Sequence, residues 1–139
     1  MYHAIMVPVD LEHVEKLGKS LNTAIDLARH YNAIVHYVAV TPSAPTEAAH
    51  TREEFTRRLA QFASEQGEQH GIQTSSKVIV SADPAVELDD KLLATYREIG
   101  ADLIIMASHV PGVADKLHLM SSNAGYVARH ADISVFVVR

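Results

Sequence analysis

The chain has 139 residues, of which 47% are hydrophobic and 21% charged, a size and balance typical of one globular domain over residues 1–139. Its net charge is −5 without a cluster of Lys and Arg, and no apolar stretch approaches the roughly 20 residues that span a bilayer. It contains no cysteine, which excludes disulfides, thiolate metal sites and cysteine nucleophiles. We therefore expect a cytoplasmic protein that interacts with neither nucleic acid nor membrane.

The chain opens with an apolar run followed by an amphipathic stretch. The run AIMVPV, residues 4–9, predicts a strand buried on both faces. It should end near Pro8, because proline donates no hydrogen bond to a strand ladder. Apolar residues at steps of three and four then predict a helix from Val14 to Tyr31, which Asn32 stops.

The rest of the chain continues this alternation. We predict, in order, a strand at 33–40, a loop at 41–49, a helix at 50–70 capped by Gly71, a strand at 72–80, a helix from Pro84 capped by Asp83 and Gly100, a strand at 102–108, a helix at 122–130 and a strand at 134–139. Such alternation predicts a parallel sheet with helices on both faces. Ligands of these sheets bind beyond the carboxyl ends of the strands, where the strand order reverses.

Residues at the predicted strand ends suit a nucleotide. The Asp10 carboxylate can accept from ribose hydroxyls, free backbone groups near Val40 can bind an adenine edge, and the start of the last helix attracts phosphate. The predicted nucleotide-binding set is Pro8, Val9, Asp10, Val40, Val80, Ala107, Ser108, His109, Val110, Ser121, Ser122 and Asn123. Asp10 has a second interpretation, as a residue that only caps the turn after the strand.

Three segments carry a family pattern: IMVPVD, SADPAVEL and the ending ASH…SSNAGYVARHADISVFVVR. Together they resemble the universal stress protein family over the whole chain. The resemblance implies an α/β fold with an open, mostly parallel five-stranded sheet in the order 3-2-1-4-5 and helices on both faces, like the adenine nucleotide alpha hydrolases. It also implies ATP as the ligand, with or without Mg, and a homodimer. An uncovered apolar last strand, Ser134 to Val138, predicts the same dimer.

The glycine motif of ATP-binding members, G-x-x-G, nine residues, then G-[ST], is degraded in this chain. Ala107 and Val110 take the first two glycine positions, and Met120 takes the third before Ser121. Glycine lets the backbone approach a phosphate, so its loss leaves two hypotheses open. One is a stress-response sensor or regulator that binds ATP, with at most slow hydrolysis. The other is a dimeric protein-interaction module that binds no nucleotide. We identify no catalytic residues and no metal ligands.

Overall fold

The computed structural model describes residues 1–42, 52–108 and 123–139. The strands are β1 (Ala4–Pro8), β2 (Ile34–Pro42), β3 (Thr74–Ser81), β4 (Leu103–Ala107) and β5 (Ser134–Val138). The helices are α1 (Gly18–Tyr31), α2 (Arg52–His70), α3 (Pro84–Ile99) and α4 (Ala124–His130), and a 3-10 helix covers Leu11–Lys16. Among the described helices, none combines the length and the apolar character needed to cross a membrane.

All five strands pair in parallel, in the order β3-β2-β1-β4-β5, which confirms the predicted fold class. Helices α1 and α2 pack on one face of the sheet, and α3 and α4 pack on the other. The helices that follow β1 and β4 therefore lie on opposite faces, and the strand order reverses between these two strands. This is the position at which open α/β sheets bind ligands.

The central strands explain the apolar runs in the sequence. Every residue of β1 is buried, because its side chains alternate between the core beneath α1 and α2 and the core beneath α3 and α4. Ile5 and Ile104 are fully buried on opposite sides of the sheet. Each such side chain stabilises the fold by roughly 1.5–3 kcal/mol relative to an exposed one.

The predicted helix from Val14 to Tyr31 is wrong at its beginning. The 3-10 helix comes first, and α1 starts only at Gly18. His13 has φ −133° and ψ 33°, which interrupts regular helical geometry there. Both kinds of helix turn apolar side chains toward the core every three or four residues, so the spacing did not separate them. Asn32 ends α1 in the left-handed region, with φ 53°, as predicted.

Asp83 is the N-cap of α3 and Pro84 begins the helix, as predicted, but the Asp83 side chain makes no cap hydrogen bond. The Asp83 carbonyl accepts from the N–H groups of Val86 and Glu87, as at any helix start. The carboxylate of Glu87 accepts from the Ser81 hydroxyl at 2.8 Å. Gly100 ends α3 with φ 71°, as predicted. Strand β2 runs two residues further than predicted because it stays paired with β3 as far as Pro42.

Candidate functional site

Pro8 shapes the crevice between β1 and β4. The N–H of Val9 donates to the Val38 carbonyl on β2 at 2.8 Å, so by the alternation of a strand position 8 faces β4. Pro8 has no N–H with which to continue that ladder, and the pairing of β1 with β4 stops at Met6. The ladder between these strands therefore ends two residues before β1 does, at the edge where a ligand would enter.

Asp10 follows β1 at this edge and caps the 3-10 helix. Its Oδ1 accepts from the Glu12 N–H at 3.0 Å, and its Oδ2 lies 2.8 Å from the His13 Nδ1. Asp10 therefore does cap the turn after β1, whereas its role toward a nucleotide stays a prediction. Capping does not use up the carboxylate, since each oxygen has a second lone pair and 28% of the side chain is exposed.

Val40 presents a backbone edge beside the end of β1. Even-numbered residues of β2 face β1, because the Ile34 N–H donates to His3 and the Val38 carbonyl accepts from Val9. The pairing of β1 with β2 ends at Val38. By alternation, the N–H and C=O of Val40 point beyond the end of β1, and no described backbone group bonds to them there. A donor and an acceptor side by side match the N1 and N6 positions of an adenine ring.

Val9 and Val80 contribute less than their positions suggest. The side chain of Val9 is 2% exposed in the core beneath α1, and its N–H already bonds to β2. Val80 is half-buried near the end of β3, in register with Thr41. Neither residue adds a free polar group to the crevice, whereas Asp10 and Val40 do.

The end of β4 lies on the other side of the crevice. Ala107 closes β4 and is half-buried, and Ser108 follows it. The Ser108 N–H donates to the Val138 carbonyl on β5 at 2.7 Å. Ser108 can therefore offer its hydroxyl to an anion, but its main-chain amide is already engaged.

Asn123 precedes α4 and is half-buried. It makes no side-chain cap hydrogen bond, and its carbonyl accepts from the Val127 N–H at 2.9 Å. Helix geometry leaves the N–H groups of the first turn of α4 without acceptors inside the helix. Four of the predicted site residues lie outside the described residues: His109, Val110, Ser121 and Ser122.

The sheet thus brings Pro8, Asp10, Val40 and Ser108 to one edge, because parallel strands end together. Sequence reasoning missed the contact between His13 and Asp10, which the D-x-x-H spacing directly after a strand could have indicated. No group of three or more His, Asp or Glu side chains suitable for a metal ion occurs in the part of the chain that the structure describes.

The universal stress protein family model matches residues 1–139, and the chain belongs to this family. Universal stress protein G of Shigella flexneri is 29% identical over 147 aligned residues, which cover 100% of both chains. The structure of a universal stress protein from Archaeoglobus fulgidus is similar with a TM-score of 0.70 and 19% identity, again over 100% of both chains.

Two further solved structures are complexes. A universal stress protein in complex with cAMP has a TM-score of 0.69 and 18% identity, and the match covers 99% of this chain and 97% of that one. The universal stress protein from Archaeoglobus fulgidus in complex with dAMP has a TM-score of 0.68 and 18% identity, covering 99% and 98%. At these identities the structures show a shared fold.

Proposed function

We propose that this chain binds an adenine nucleotide, ATP in the first place, in the crevice between β1 and β4, and acts as a stress-response sensor or regulator. The observation that carries the proposal is the Asp10 carboxylate next to the free backbone edge at Val40. The cAMP and dAMP complexes of similar proteins support it, since both ligands are adenine nucleotides.

Each part of the nucleotide has a chemically matched group. The Val40 C=O would accept from the adenine N6 amino group, and the Val40 N–H would donate to N1. Ribose hydroxyls would donate to Asp10. The phosphates would extend toward the Ser108 hydroxyl and the first turn of α4, whose dipole favours negative charge. The site holds ligand rather than converting it quickly, with at most slow ATP hydrolysis.

A Mg²⁺ ion fits this site as a companion of the phosphates. Mg²⁺ keeps several waters and commonly binds through one or two carboxylates together with substrate phosphates. The described part of the crevice offers the Asp10 carboxylate, which the ribose would occupy, so the phosphates and water would hold the ion. When bound, the ion would supply charge neutralisation to the phosphate tail.

Asp10→Asn tests nucleotide binding. Asparagine keeps an oxygen to accept from the Glu12 N–H, so the cap is retained while the charge that would bind ribose is lost. Wild-type protein at 100 times Kd should gain roughly 2.7 kcal/mol of stability in thermal melts with ATP, ADP or AMP, with and without Mg²⁺. The gain should collapse in Asp10→Asn and persist in the control Asp26→Asn, which removes an exposed charge on α1.

Two results would contradict different parts of the proposal. A wild-type protein whose stability does not respond to any of these nucleotides, and whose denatured supernatant contains none by mass spectrometry, would contradict nucleotide binding. The second candidate function, a dimeric interaction module without nucleotide, would then stand. An equal response in the wild type and in Asp10→Asn would contradict only the role of Asp10 in that binding.

We also propose that two copies pair through β5, which is an edge strand of the sheet. Because Ser108 bonds to Val138, the even-numbered residues of β5 face β4, and the backbone groups of Val135 and Val137 point outward. Phe136 is 45% exposed on the same strand. An unpaired edge with an exposed aromatic side chain favours pairing with a second edge.

Val137→Pro tests the dimer. Proline at this position removes an outward N–H but no hydrogen bond to β4, so the subunit fold should survive. The variant should sediment as a monomer, whereas Val137→Thr, which keeps the N–H and the branched shape, should remain dimeric. A monomeric wild type, or a dimeric proline variant, would overturn the proposed interface.

A further inference from the structure

We propose that His13 is the positioning residue that makes this site select nucleotides carrying ribose hydroxyls, because it fixes the orientation of the Asp10 carboxylate. The inference rests on the proposed nucleotide function and adds to it a determinant of sugar specificity. His13 would not contact the nucleotide. It would act through Asp10.

Three contacts tie the start of the 3-10 helix to Asp10. The His13 Nδ1 lies 2.8 Å from Oδ2, the Glu12 N–H donates to Oδ1 at 3.0 Å, and the His13 N–H donates to the Asp10 carbonyl at 3.1 Å. An ionised carboxylate only accepts, so the imidazole carries its proton on Nδ1 in this contact. Each carboxylate oxygen thus has one protein donor.

The pair is held in a partly enclosed place. Only 26% of the His13 side chain and 28% of the Asp10 side chain are exposed. The 3-10 helix that carries His13 is anchored to the core, because Leu11 and Val14 pack against the cluster beneath α1 and Leu17 is 1% exposed within it. The imidazole therefore has little freedom to leave the carboxylate.

Holding both carboxylate oxygens matters for a ribose. The 2′- and 3′-hydroxyls of a ribose are adjacent donors, and they bind a carboxylate best when both oxygens already face the sugar. The Glu12 N–H fixes one oxygen, but rotation about the last side-chain bond is broad in aspartate unless the other oxygen is held too. Partners behind a ligand-binding group commonly set its orientation in this way.

The experiment compares AMP with 2′,3′-dideoxyadenosine monophosphate, which has the same base and phosphate without the two hydroxyls. Affinities are measured by calorimetry for the wild type, His13→Leu and His13→Asn. Asparagine places its amide nitrogen near the position of Nδ1 and keeps the donor, whereas leucine fills the space without one. The control is His30→Leu, because His30 is exposed near the C-terminal end of α1.

The wild type should prefer AMP by about tenfold or more, the factor that corresponds to one hydrogen bond to a charged group. His13→Leu should reduce this preference to about threefold or less, mainly by weakening AMP binding. His13→Asn and His30→Leu should keep the wild-type preference. Independently of ligand, nitrogen NMR of the wild type should find the Nδ1–H tautomer at His13, and Asp10→Asn should change that signal.

The outcomes separate the two proposals. If the wild type binds neither nucleotide, the proposed function fails and the role of His13 fails with it. If the wild type prefers AMP and His13→Leu prefers it equally, only the role of His13 is overturned. A parallel loss of affinity for both nucleotides in His13→Leu would likewise overturn it, because a purely structural contribution does not distinguish the two sugars.

Discussion

Replacing Tyr37 tests how much a buried hydroxyl without a partner lowers the stability of the core. It lies on β2 with 0% of its surface exposed, and its ring makes an edge contact with Phe62 at a centroid distance of 5.1 Å. Its hydroxyl has no hydrogen-bond partner among the described residues. A buried hydroxyl without a partner costs about 1–3 kcal/mol, so Tyr37→Phe should remove that cost.

The expected magnitude follows from two opposed effects. Phenylalanine keeps the ring contact and leaves a void the size of one oxygen atom, which offsets part of the gain. We expect a net increase in the free energy of unfolding of about 1–2 kcal/mol. For a chain of this length the increase corresponds to a melting temperature roughly 3–6 °C higher.

The difference in free energy of unfolding between Tyr37→Phe and the wild type should increase at alkaline pH. Burial raises the pKa of Tyr37 to about 12 from its usual 10.0. Tyr37 loses its proton at a lower pH in the unfolded chain than in the folded protein. The free energy of unfolding is therefore unaffected by this group below pH 10 and decreases as the pH rises toward 12. That loss approaches about 3 kcal/mol at full titration and should be absent in Tyr37→Phe.

Urea unfolding of both proteins at pH 7 and at pH 11 measures both parts of this prediction. A less stable Tyr37→Phe at pH 7 would mean that the hydroxyl has a partner, and would refute the reasoning. A difference between the two proteins that does not grow between pH 7 and pH 11 would refute the alkaline part alone.

Other positions give simpler tests by thermal melting. Gly67→Ala should lower the free energy of unfolding by about 1 kcal/mol although alanine favours a helix, because its Cβ would lie 2.9 Å from the Thr74 Oγ1. Gly125→Ala, where no atom lies within 4 Å, should raise it by about 0.5–1 kcal/mol, and a loss at both positions would contradict this steric argument. Burial alone would raise the pKa of Asp102, but backbone N–H groups at the start of β1 lower it overall. The free energy of unfolding should therefore decrease as the pH drops below the usual carboxyl range, and Asp102→Asn should make that decrease smaller. An equal decrease at acid pH in the variant and the wild type would contradict this prediction.

The fold was largely predictable because its central strands are buried on both sides and therefore read as apolar runs. Alternation alone predicted a parallel sheet, and the strand order came from the family resemblance. The break between the 3-10 helix and α1 was not predictable, because it depends on the backbone angles of Leu17, φ −97° and ψ 4°, and not on apolar spacing. The N-cap of α3 was predictable from Asp83 and Pro84, but whether the Asp83 side chain bonds depends on its direction, which residue type does not fix.

The candidate site was predictable in place but not in detail. Strand ends located Asp10 and Val40, since both follow apolar runs. Which backbone groups remain free depends on strand register, and register decides that Val40 points past β1 while the Ser108 amide bonds to β5. The D-x-x-H spacing indicates that His13 and Asp10 can meet, but the two side chains make contact only because the local turn directs them together.

The proline at the end of β1 has a consequence for how a ligand arrives. Two neighbouring parallel strands usually stay hydrogen-bonded along their shared length, and a ligand between their ends would then have to displace that pairing. Proline at position 8 has no amide hydrogen, so one hydrogen bond from β1 to β4 is excluded by its covalent structure. Strand reversal creates the crevice, and the residue type at position 8 adds a limit on how far its two walls can pair. Pro8→Ala would restore the missing donor and should let the pairing of β1 with β4 extend beyond Met6.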